Sequence, residues 1–357
     1  MIIDPDMRSS MFRFGVVGAG LIGRRRALDS VTIQNTTVSW VSDPDRANGE
    51  KLARDLSDRQ GSLCRWVDRP EQVLDLEPVD LAMIAVPHDR ATEIASMFLN
   101  ADVNVHLEKP MGRNLHEAQT LSRVAEASAG QLALGFNYRH YPAVLRARQL
   151  IDSGMIGRPL LARMVLGHGG RPGYEREWKL QRERAGGGAL LDPGIHLIDL
   201  AQYFLGELRS ESVQLQRLYW QTDVEDLATV VLTPLSGGTV VIQSSLLEWK
   251  STFHIELQGS DGYLKINGRM GTYGEQSLAF GRRWAWLNGQ SQAEQEELET
   301  FGTEDTSFRS QLESVVTALR SGERVPVGLT AGLSTMTIIH DLYDLAGTPE
   351  AVQGVAR

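Results

Sequence analysis

The chain has 357 residues, of which 42% are hydrophobic and 23% charged, so we predict a globular protein of two domains. Its net charge of −9 argues against nucleic acid as a partner, and no run of about 18 apolar residues is present that could span a membrane. The single cysteine, Cys64, rules out an intramolecular disulfide and a cysteine-based zinc site, and we expect no metal. A single cysteine suits a protein of the reducing cytoplasm. We expect Cys64 to be buried as a small hydrophobic residue.

Residues 1–11 carry aspartates where a signal peptide would be basic and apolar, so we expect a tail before the fold begins at Phe12. From there, apolar runs alternate with helical patterns. The runs predict strands at 14–17, 38–41, 80–86, 103–107 and 132–135, and the patterns predict helices at 47–56, 91–100 and 115–127. This alternation favours a doubly wound parallel α/β sheet, and we assign residues 12–135 to a dinucleotide-binding domain.

The pattern changes after about residue 155. Strands are predicted at 160–166, 213–219, 228–232, 239–246 and 253–257, and helices at 193–205, 307–320 and 330–345. Short turns between consecutive strands favour a mostly antiparallel sheet. We assign 136–330 to a substrate and oligomerisation domain and 331–357 to a C-terminal helix and tail. Residues 289–299, rich in Gln and Glu, are predicted to form an exposed loop or a solvated helix face.

A glycine motif follows the first predicted strand. It has the G-x-G-x-x-G pattern and consists of Gly18, Ala19, Gly20, Leu21, Ile22 and Gly23. The first glycine permits a tight turn, the second lets a pyrophosphate approach the backbone, and the third lets the helix pack on the strand. The N-terminus of the helix then presents free N–H groups to the phosphates. We therefore expect Gly18, Gly20, Leu21, Ile22 and Gly23 to contact a dinucleotide.

Asp43 follows the second predicted strand, where a carboxylate is expected to bind the adenosine ribose. A carboxylate there favours NAD and disfavours the 2′-phosphate of NADP. Asp43 also suits a turn before Pro44, and the two roles are compatible. Arg24, Arg25 and Arg26 complicate the preference because an arginine could accept that phosphate; we expect them to be solvated or to help hold phosphate.

Lys109 lies directly after the predicted strand 103–107, in the segment Glu108-Lys109-Pro110. Ligands of open α/β sheets bind at the carboxyl ends of the strands. A lysine there can donate a hydrogen bond to a substrate hydroxyl and stabilise the negative oxygen that develops as hydride leaves. The proline restricts the lysine and allows a cis bond that would aim it. The alternative is a surface lysine in a turn.

A second segment, residues 186–199, begins with three glycines and contains Asp192, His196 and Asp199. Helical spacing puts these three side chains on one face, where two carboxylates would orient His196 as a general base. Alcohol oxidation needs such a base for the hydroxyl proton. The alternative is structural: Asp192 directly before Pro193 is a suitable N-cap, and His196 could simply be buried beneath it.

Together these motifs resemble the glucose–fructose oxidoreductase / inositol dehydrogenase (Gfo/Idh/MocA) family along nearly the whole chain. The matching elements are Gly18–Gly23, Asp43, Glu108-Lys109-Pro110, residues 135–139, and the run from Gly186 through Asp192 and His196 to Asp199. The resemblance implies an N-terminal Rossmann domain and a C-terminal α/β domain with an open, mostly antiparallel sheet. It also implies an NAD-dependent hydride transfer at a hydroxyl-bearing carbon of a sugar-type substrate.

The resemblance also implies that the catalytic residues are Lys109, Asp192 and His196, with His196 as proton acceptor. We further place Pro87 and Glu108 at the cofactor and Tyr138 at the substrate. The sequence departs from the family at one position. The family often has a histidine four residues after the proline that corresponds to Pro87, and this chain has Ala91 there. His88 is a candidate to replace it near the nicotinamide. A non-catalytic NAD-binding redox sensor is the rival function, but it would be expected to lack the lysine or the histidine.

The substrate is predicted from residues 171–184, which carry five cations against three anions directly before the glycine-rich segment. Arg171 and Lys179 suit a phosphate, while Tyr174 and Trp178 suit a sugar ring or a base. This favours a sugar phosphate or nucleotide sugar, with inositol, another polyol or a free sugar as the alternative; the charges could also simply face water. Mixed apolar faces around residues 241–247 predict a homodimer or homotetramer.

Overall fold

A computed structural model describes residues 11–283, 296–347 and 353–354. The chain forms two compact units, one of residues 1–136 with 308–336 and the other of residues 137–307 with 337–357. Most of the predicted tail at 1–11 lies outside the described residues, and the first strand begins at Phe12. Across these described ranges, no helix is both long enough and apolar enough to cross a membrane.

Strands and helices alternate up to residue 134, and strands predominate beyond it. The strands are β1 (Phe12–Val17), β2 (Thr36–Ser42), β3 (Arg65–Val67), β4 (Leu81–Ile84), β5 (Asn104–Leu107), β6 (Leu132–Leu134), β7 (Pro159–Gly167), β8 (Leu208–Arg217), β9 (Leu227–Pro234), β10 (Thr239–Ser245), β11 (Thr252–Gly259), β12 (Gly262–Asn267), β13 (Ser277–Arg282), β14 (Glu297–Thr300) and β15 (Gln353–Gly354). The helices are α1 (Leu21–Ser30), α2 (Arg46–Gln60), α3 (His88–Asn100), α4 (Leu115–Ala127), α5 (Pro142–Asp152), α6 (Arg182–Ala185), α7 (Gly194–Leu205), α8 (Ser307–Arg320) and α9 (Leu329–Ala346).

The first unit contains a six-stranded sheet in the order β3-β2-β1-β4-β5-β6. Every neighbouring pair is parallel, which confirms the predicted doubly wound sheet. Its order reverses beside β1, so the segments that follow β1, β4 and β5 lie at one edge of the sheet. Those segments carry the glycine motif, Pro87 and Lys109.

The core of the first unit explains why residues from the C-terminal part belong to it. Phe14 and Val16 of β1 are fully buried, and Leu312 and Val316 of α8 pack in the same cluster. Residues up to 330 were predicted to belong to the second domain, whereas the structure packs 308–336 with the first. The apolar face of α8 completes this core, a long-range contact that spacing along the chain does not reveal. Cys64 is buried in the same cluster, as predicted.

The second unit contains a nine-stranded sheet in the order β14-β13-β12-β11-β7-β10-β9-β8-β15. The pairs β7–β10 and β8–β15 are parallel and the others antiparallel, so the predicted mostly antiparallel sheet is confirmed. Helix α7 packs against β7 and β10 and covers one face. Of the Gln/Glu-rich segment, residues 297–299 belong to β14 rather than to a loop or helix, because they pair with β13. Residues 289–295 lie outside the described residues.

Candidate active site

The glycine motif in the first unit has the geometry that a dinucleotide requires. Gly18 has φ +94°, and a Cβ there would lie 2.2 Å from the carbonyl oxygen of Ala85. A Cβ on Gly23 would lie 1.8 Å from the carbonyl oxygen of Gly18, whereas one on Gly20 would meet nothing within 4 Å. Helix α1 begins at Leu21 without a side-chain cap, and Leu21 is exposed. The space at Gly20 and the uncapped N–H groups therefore fit a pyrophosphate.

Asp43 connects the end of β2 to this motif. Its Oδ2 accepts a hydrogen bond from the backbone N–H of Ala19 at 2.6 Å, and its Oδ1 accepts one from the N–H of Asp45 at 2.8 Å. The turn role that the sequence allowed is therefore present. The carboxylate also lies beside the glycine motif, where the ribose of a dinucleotide is expected.

The three consecutive arginines of α1 each pair with a carboxylate. Arg24 contacts Asp55 and Arg25 contacts Asp29. Arg26 is buried, contrary to the expectation of a solvated or phosphate-holding residue, and its Nε donates to Glu108. Its guanidinium also lies 4.9 Å from the ring centroid of Phe308.

Glu108 and Lys109 therefore have different surroundings in the first unit. The Glu108 carboxylate faces Arg26, so its predicted contact with the cofactor stays a prediction. Lys109 follows β5, is partly buried and precedes a cis peptide bond to Pro110. Pro87 directly precedes α3, and His88 is buried on that helix, as is Ala91 one turn later.

In the second unit, Asp192 lies in the turn before α7 and not on the helix. The helix begins at Gly194, and Pro193 before it makes no side-chain cap. The proposed N-cap and the shared helix face of Asp192, His196 and Asp199 are therefore both wrong, because the helix starts two residues after Asp192. Instead, Asp192 Oδ2 accepts a hydrogen bond from Lys179 Nζ at 3.0 Å.

A buried glutamate holds the loop that carries Asp192. Glu225 Oε1 accepts hydrogen bonds from the backbone N–H groups of Gly188 at 2.9 Å and Leu190 at 3.0 Å, and from the hydroxyl of Tyr343 at 2.8 Å. A Cβ on Gly188 would lie 2.0 Å from the Glu225 carbonyl oxygen, so the close approach requires glycine. Glu225 was not predicted from the sequence, since its partners lie far away along the chain.

His196 and Asp199 of α7 contact successive residues of the turn before α5. The rings of His196 and Tyr138 are stacked, with centroids 3.8 Å apart and planes 4° apart. Asp199 forms a two-pronged ion pair with Arg139, with oxygen–nitrogen distances of 2.9 Å and 2.7 Å. Asp199 therefore fixes the turn that positions Tyr138 and does not flank His196 as a second catalytic carboxylate.

Two further polar side chains, His168 and Arg269, lie near Asp192 and Tyr138. Burial lowers the pKa of His168, although the Asp192 carboxylate opposes that shift, so the ring is neutral at neutral pH. His168 Nδ1 accepts the N–H of Gly170 at 3.1 Å, which leaves the proton on Nε2. Arg269 lies over the ring of Tyr138, with 5.0 Å to the centroid. Neither residue was predicted from the sequence, and their one shared signal is a position just after a strand.

The charged segment 171–184 is largely paired with protein groups. Arg171 contacts Glu177 at 2.7 Å and Arg176 contacts Glu175 at 3.5 Å. Of the predicted substrate residues here, Lys179 reaches the predicted catalytic residue Asp192, Tyr174 is buried, and Trp178 is partly buried near Lys179. Within the described residues, no cluster of three or more His, Cys, Asp or Glu side chains could hold a metal ion.

Two family models match the chain. The one described as an oxidoreductase family with an NAD-binding Rossmann fold matches residues 12–136, and the GFO/IDH/MocA C-terminal domain matches residues 144–265. A solved structure of levoglucosan dehydrogenase with NADH and levoglucosan superposes with a TM-score of 0.81 at 20% identity, covering 95% of this chain and 98% of that one. The likeness shows a shared fold.

Curated relatives align more locally. Inositol 2-dehydrogenase of Rhizobium meliloti is 26% identical over 70% of this chain and 74% of its own length. A putative UDP-kanosamine synthase oxidoreductase subunit of Amycolatopsis mediterranei is 40% identical over 37% of this chain and 36% of its own length. For three other relatives, the aligned stretch spans 54% to 63% of the relative's length.

Proposed function

Because the chain belongs to the Gfo/Idh/MocA oxidoreductase family and has its NAD-binding Rossmann domain, we propose that it is a cytoplasmic NAD-dependent dehydrogenase of a sugar-type substrate. It would interconvert a secondary hydroxyl and a ketone. One observation carries the proposal: Asp192, hydrogen-bonded to Lys179, lies in the turn before α7, and His196, stacked on Tyr138, lies in the first turn of that helix. This supplies a carboxylate, an ammonium and an imidazole close together in the second unit.

We assign each group one role. His196 accepts the proton of the substrate hydroxyl, and the stacked ring of Tyr138 fixes the plane of the imidazole. Asp192 accepts a hydrogen bond from the substrate, while the contact with Lys179 orients that carboxylate. Lys109 stabilises the oxygen on which negative charge develops. Bound NAD supplies the hydride acceptor.

The test is a substrate screen followed at the absorbance of reduced nicotinamide. It compares inositols, free sugars, sugar phosphates and nucleotide sugars, with mass spectrometry of the purified protein for retained NAD. The His196→Ala variant, prepared in parallel, reports any contaminating dehydrogenase. If NAD binds but no substrate class is oxidised with NAD or reduced with NADH, the rival function of a non-catalytic redox sensor replaces the proposal.

Within the sugar class, the paired state of Arg171 and Arg176 supports an uncharged ring, such as a polyol or free sugar. The relative named as a UDP-kanosamine synthase subunit keeps the sugar phosphate or nucleotide sugar as a second candidate. Salt separates the two in the same screen. Screening weakens attraction between exposed charges, so the Michaelis constant of an anionic substrate would rise with salt, and that of a neutral one would stay flat.

We expect a strong preference for NAD over NADP. The Asp43 carboxylate, fixed by the N–H of Ala19, would lie against the 2′-phosphate of NADP, and a like-charge contact of this kind costs several kcal/mol. The value of kcat/KM with NADP should therefore be lower by at least about tenfold. Steady-state kinetics with both cofactors measure it, and Asp43→Ser should narrow the gap. Equal efficiency with NADP in the unchanged protein would contradict the assignment of Asp43.

We also propose a homodimer or homotetramer, formed through the sheet face that α7 leaves open. Leu161, Val165, Val231 and Val241 share this face by register and are only partly buried. Light scattering should give a multiple of 39.5 kDa, and Val241→Lys should shift the particle toward the monomer. Leu63→Lys, at an exposed apolar residue of the first unit, is the matched control. A stable monomer at micromolar concentration would contradict the proposal.

A further inference from the structure

Arg269, which follows β12 in the second unit, is a cation surrounded by tyrosines. Its Nη1 donates a hydrogen bond to the hydroxyl of Tyr141 at 3.1 Å. Its guanidinium lies over two further tyrosine rings, 3.7 Å from the centroid of Tyr273 and 5.0 Å from that of Tyr138. Arginine keeps its proton in proteins, so these contacts fix a full positive charge beside Tyr138.

The neighbours of Arg269 do not neutralise its charge. Burial raises the pKa of Tyr138 well above its usual range, and Arg269 opposes only part of that shift. Burial likewise raises the pKa of Tyr141, so both phenols are neutral at neutral pH. The carboxylate of Asp305 also raises the pKa of Tyr141, but it accepts hydrogen bonds from Ser307 at 3.0 Å and 2.6 Å. Within the described ranges, Arg269 forms no ion pair with Asp305 or with any other carboxylate.

The carboxylates around His196 each have a cation of their own. Helix α7 packs against β7, β10 and the turn of residues 137–140, and β10 has no titratable side chain. The titratable groups on these elements and just before α7 are Tyr138, Arg139, His140, Arg163, His168, Lys179, Asp192, Asp199 and Tyr203. Asp199 pairs with Arg139, and Asp192 with Lys179. His168 is neutral because burial lowers its pKa, and Arg163 is exposed on the other face of β7, where it pairs with Glu256. Arg269 therefore adds a positive charge to surroundings in which the other charges are paired.

Tyr138 connects this charge to the imidazole of His196. The two rings are stacked with centroids 3.8 Å apart and planes 4° apart. The two distances to the Tyr138 centroid leave the Arg269 guanidinium at most 8.8 Å from the centre of the imidazole. A positive charge at this distance disfavours the imidazolium form, and a general base must be neutral before it can accept a proton.

We propose that Arg269, held against Tyr138, keeps the imidazole of His196 in the neutral form that accepts the proton of the substrate hydroxyl. Arg269 is thus a positioning residue, because it acts through its charge and through Tyr138 and transfers no proton itself. The contact with Tyr273 fixes the guanidinium in turn. The inference rests on the proposed dehydrogenase function and adds a residue to the proton-accepting part of that site.

The pH profile of kcat/KM for oxidation tests the inference on the substrate found in the screen. Arg269→Met removes the charge and should move the acidic limb to higher pH by about 0.3–1.4 pH units, the range for a charge at this distance in dielectric constants of about 80 to 20. At a pH below the limb, kcat/KM should therefore fall by about two- to twenty-fivefold. Arg269→Lys keeps the charge and should leave the limb in place. The matched control is Arg146→Met, which removes a guanidinium that lies over Phe280 and is paired with Glu299, and it should also leave the limb in place.

An NMR titration separates this inference from the proposed function, because it needs no substrate. The Cε1 proton signal of His196, assigned by its absence in His196→Asn, should titrate at higher pH in Arg269→Met than in the unchanged protein and Arg269→Lys. If it does so while no sugar reduces NAD, the proposed function fails and the effect of Arg269 stands. If the three proteins titrate alike, or Arg269→Lys titrates like Arg269→Met, the inference is wrong whatever the activity. Should circular dichroism show that Arg269→Met is unfolded, Arg269→Gln, which is neutral but polar, takes its place in both experiments.

Discussion

Replacing His196 by alanine is expected to lower turnover by about 10²–10⁴ while NAD still binds, because loss of one positioned general base typically has this effect. The imidazole is buried and held face to face with Tyr138, so its position is fixed before the substrate arrives. Turnover on the substrate found in the screen and NAD affinity by calorimetry measure the two halves of the prediction. Lys109→Met should lower turnover by a similar order, with little effect on folding.

The matched control is His254→Ala. This histidine lies on the partly exposed side of β11, where its Nδ1 is 2.7 Å from Asn267 Oδ1, and it should leave turnover unchanged. Circular dichroism of both variants identifies any loss of fold. A His196→Ala enzyme with near-normal turnover would show that the histidine is structural. A lost fold would remove the result as evidence for catalysis, and His196→Asn, which keeps a polar side chain of similar reach, would then replace it.

Local signals in the sequence predicted the first unit well. The glycine motif, the nearly apolar β4 and the helical pattern of α4 each depend on neighbouring residues, and the bounds of α4 and α8 agree with the structure. The motif also predicts that open space lies at Gly20 for the pyrophosphate. A Cβ on Gly20 would meet no atom within 4 Å, whereas a Cβ on Gly18 or Gly23 would collide with the backbone. Local patterning of this kind is sufficient wherever one segment decides its own structure.

The second unit was predicted less completely. Helix α5 and strands β12, β13 and β14 were missed. Strand β12 directly follows the predicted turn at 259–262, yet it alternates as a half-buried strand does, with Leu264 and Ile266 buried, so the sequence carries a signal for it. Three of the four residues of β14 are exposed, so its sequence resembles that of a solvated loop. The pairing with β13 is what makes this segment a strand.

The partners of the charged residues could not be predicted, because they depend on contacts between distant segments. Lys179 was expected to bind substrate, and its ammonium contacts Asp192. Arg26 was expected to be solvated or to help hold phosphate, and its guanidinium contacts Glu108. Asp199 was placed beside His196, yet it pairs with Arg139. Each case has the same physical origin: a carboxylate removed from water needs a cation or hydrogen-bond donors, and the fold decides which of these are within reach.

The ion pair between Asp199 and Arg139 gives the largest expected effect on stability. Asp199 is almost fully buried, and both oxygens accept hydrogen bonds from Arg139, whose guanidinium also lies 5.1 Å from the ring centroid of Tyr203. Arg139→Met would leave an unpaired carboxylate in the interior. Removing one partner of a buried ion pair typically costs about 3–5 kcal/mol, so the free energy of unfolding should fall by that amount.

Denaturant unfolding of three further variants shows whether burial is the cause. Arg309→Met breaks an exposed pair with Glu313 and should cost less than about 1 kcal/mol. The double variant Arg139→Met/Asp199→Leu removes both charges and should recover much of the stability lost in Arg139→Met, because no buried charge remains unpaired. Asp199→Leu alone should be destabilised less than Arg139→Met, since the freed guanidinium is closer to the surface than the carboxylate. Equal losses in Arg139→Met and Arg309→Met would mean that the buried pair contributes no more than a surface one.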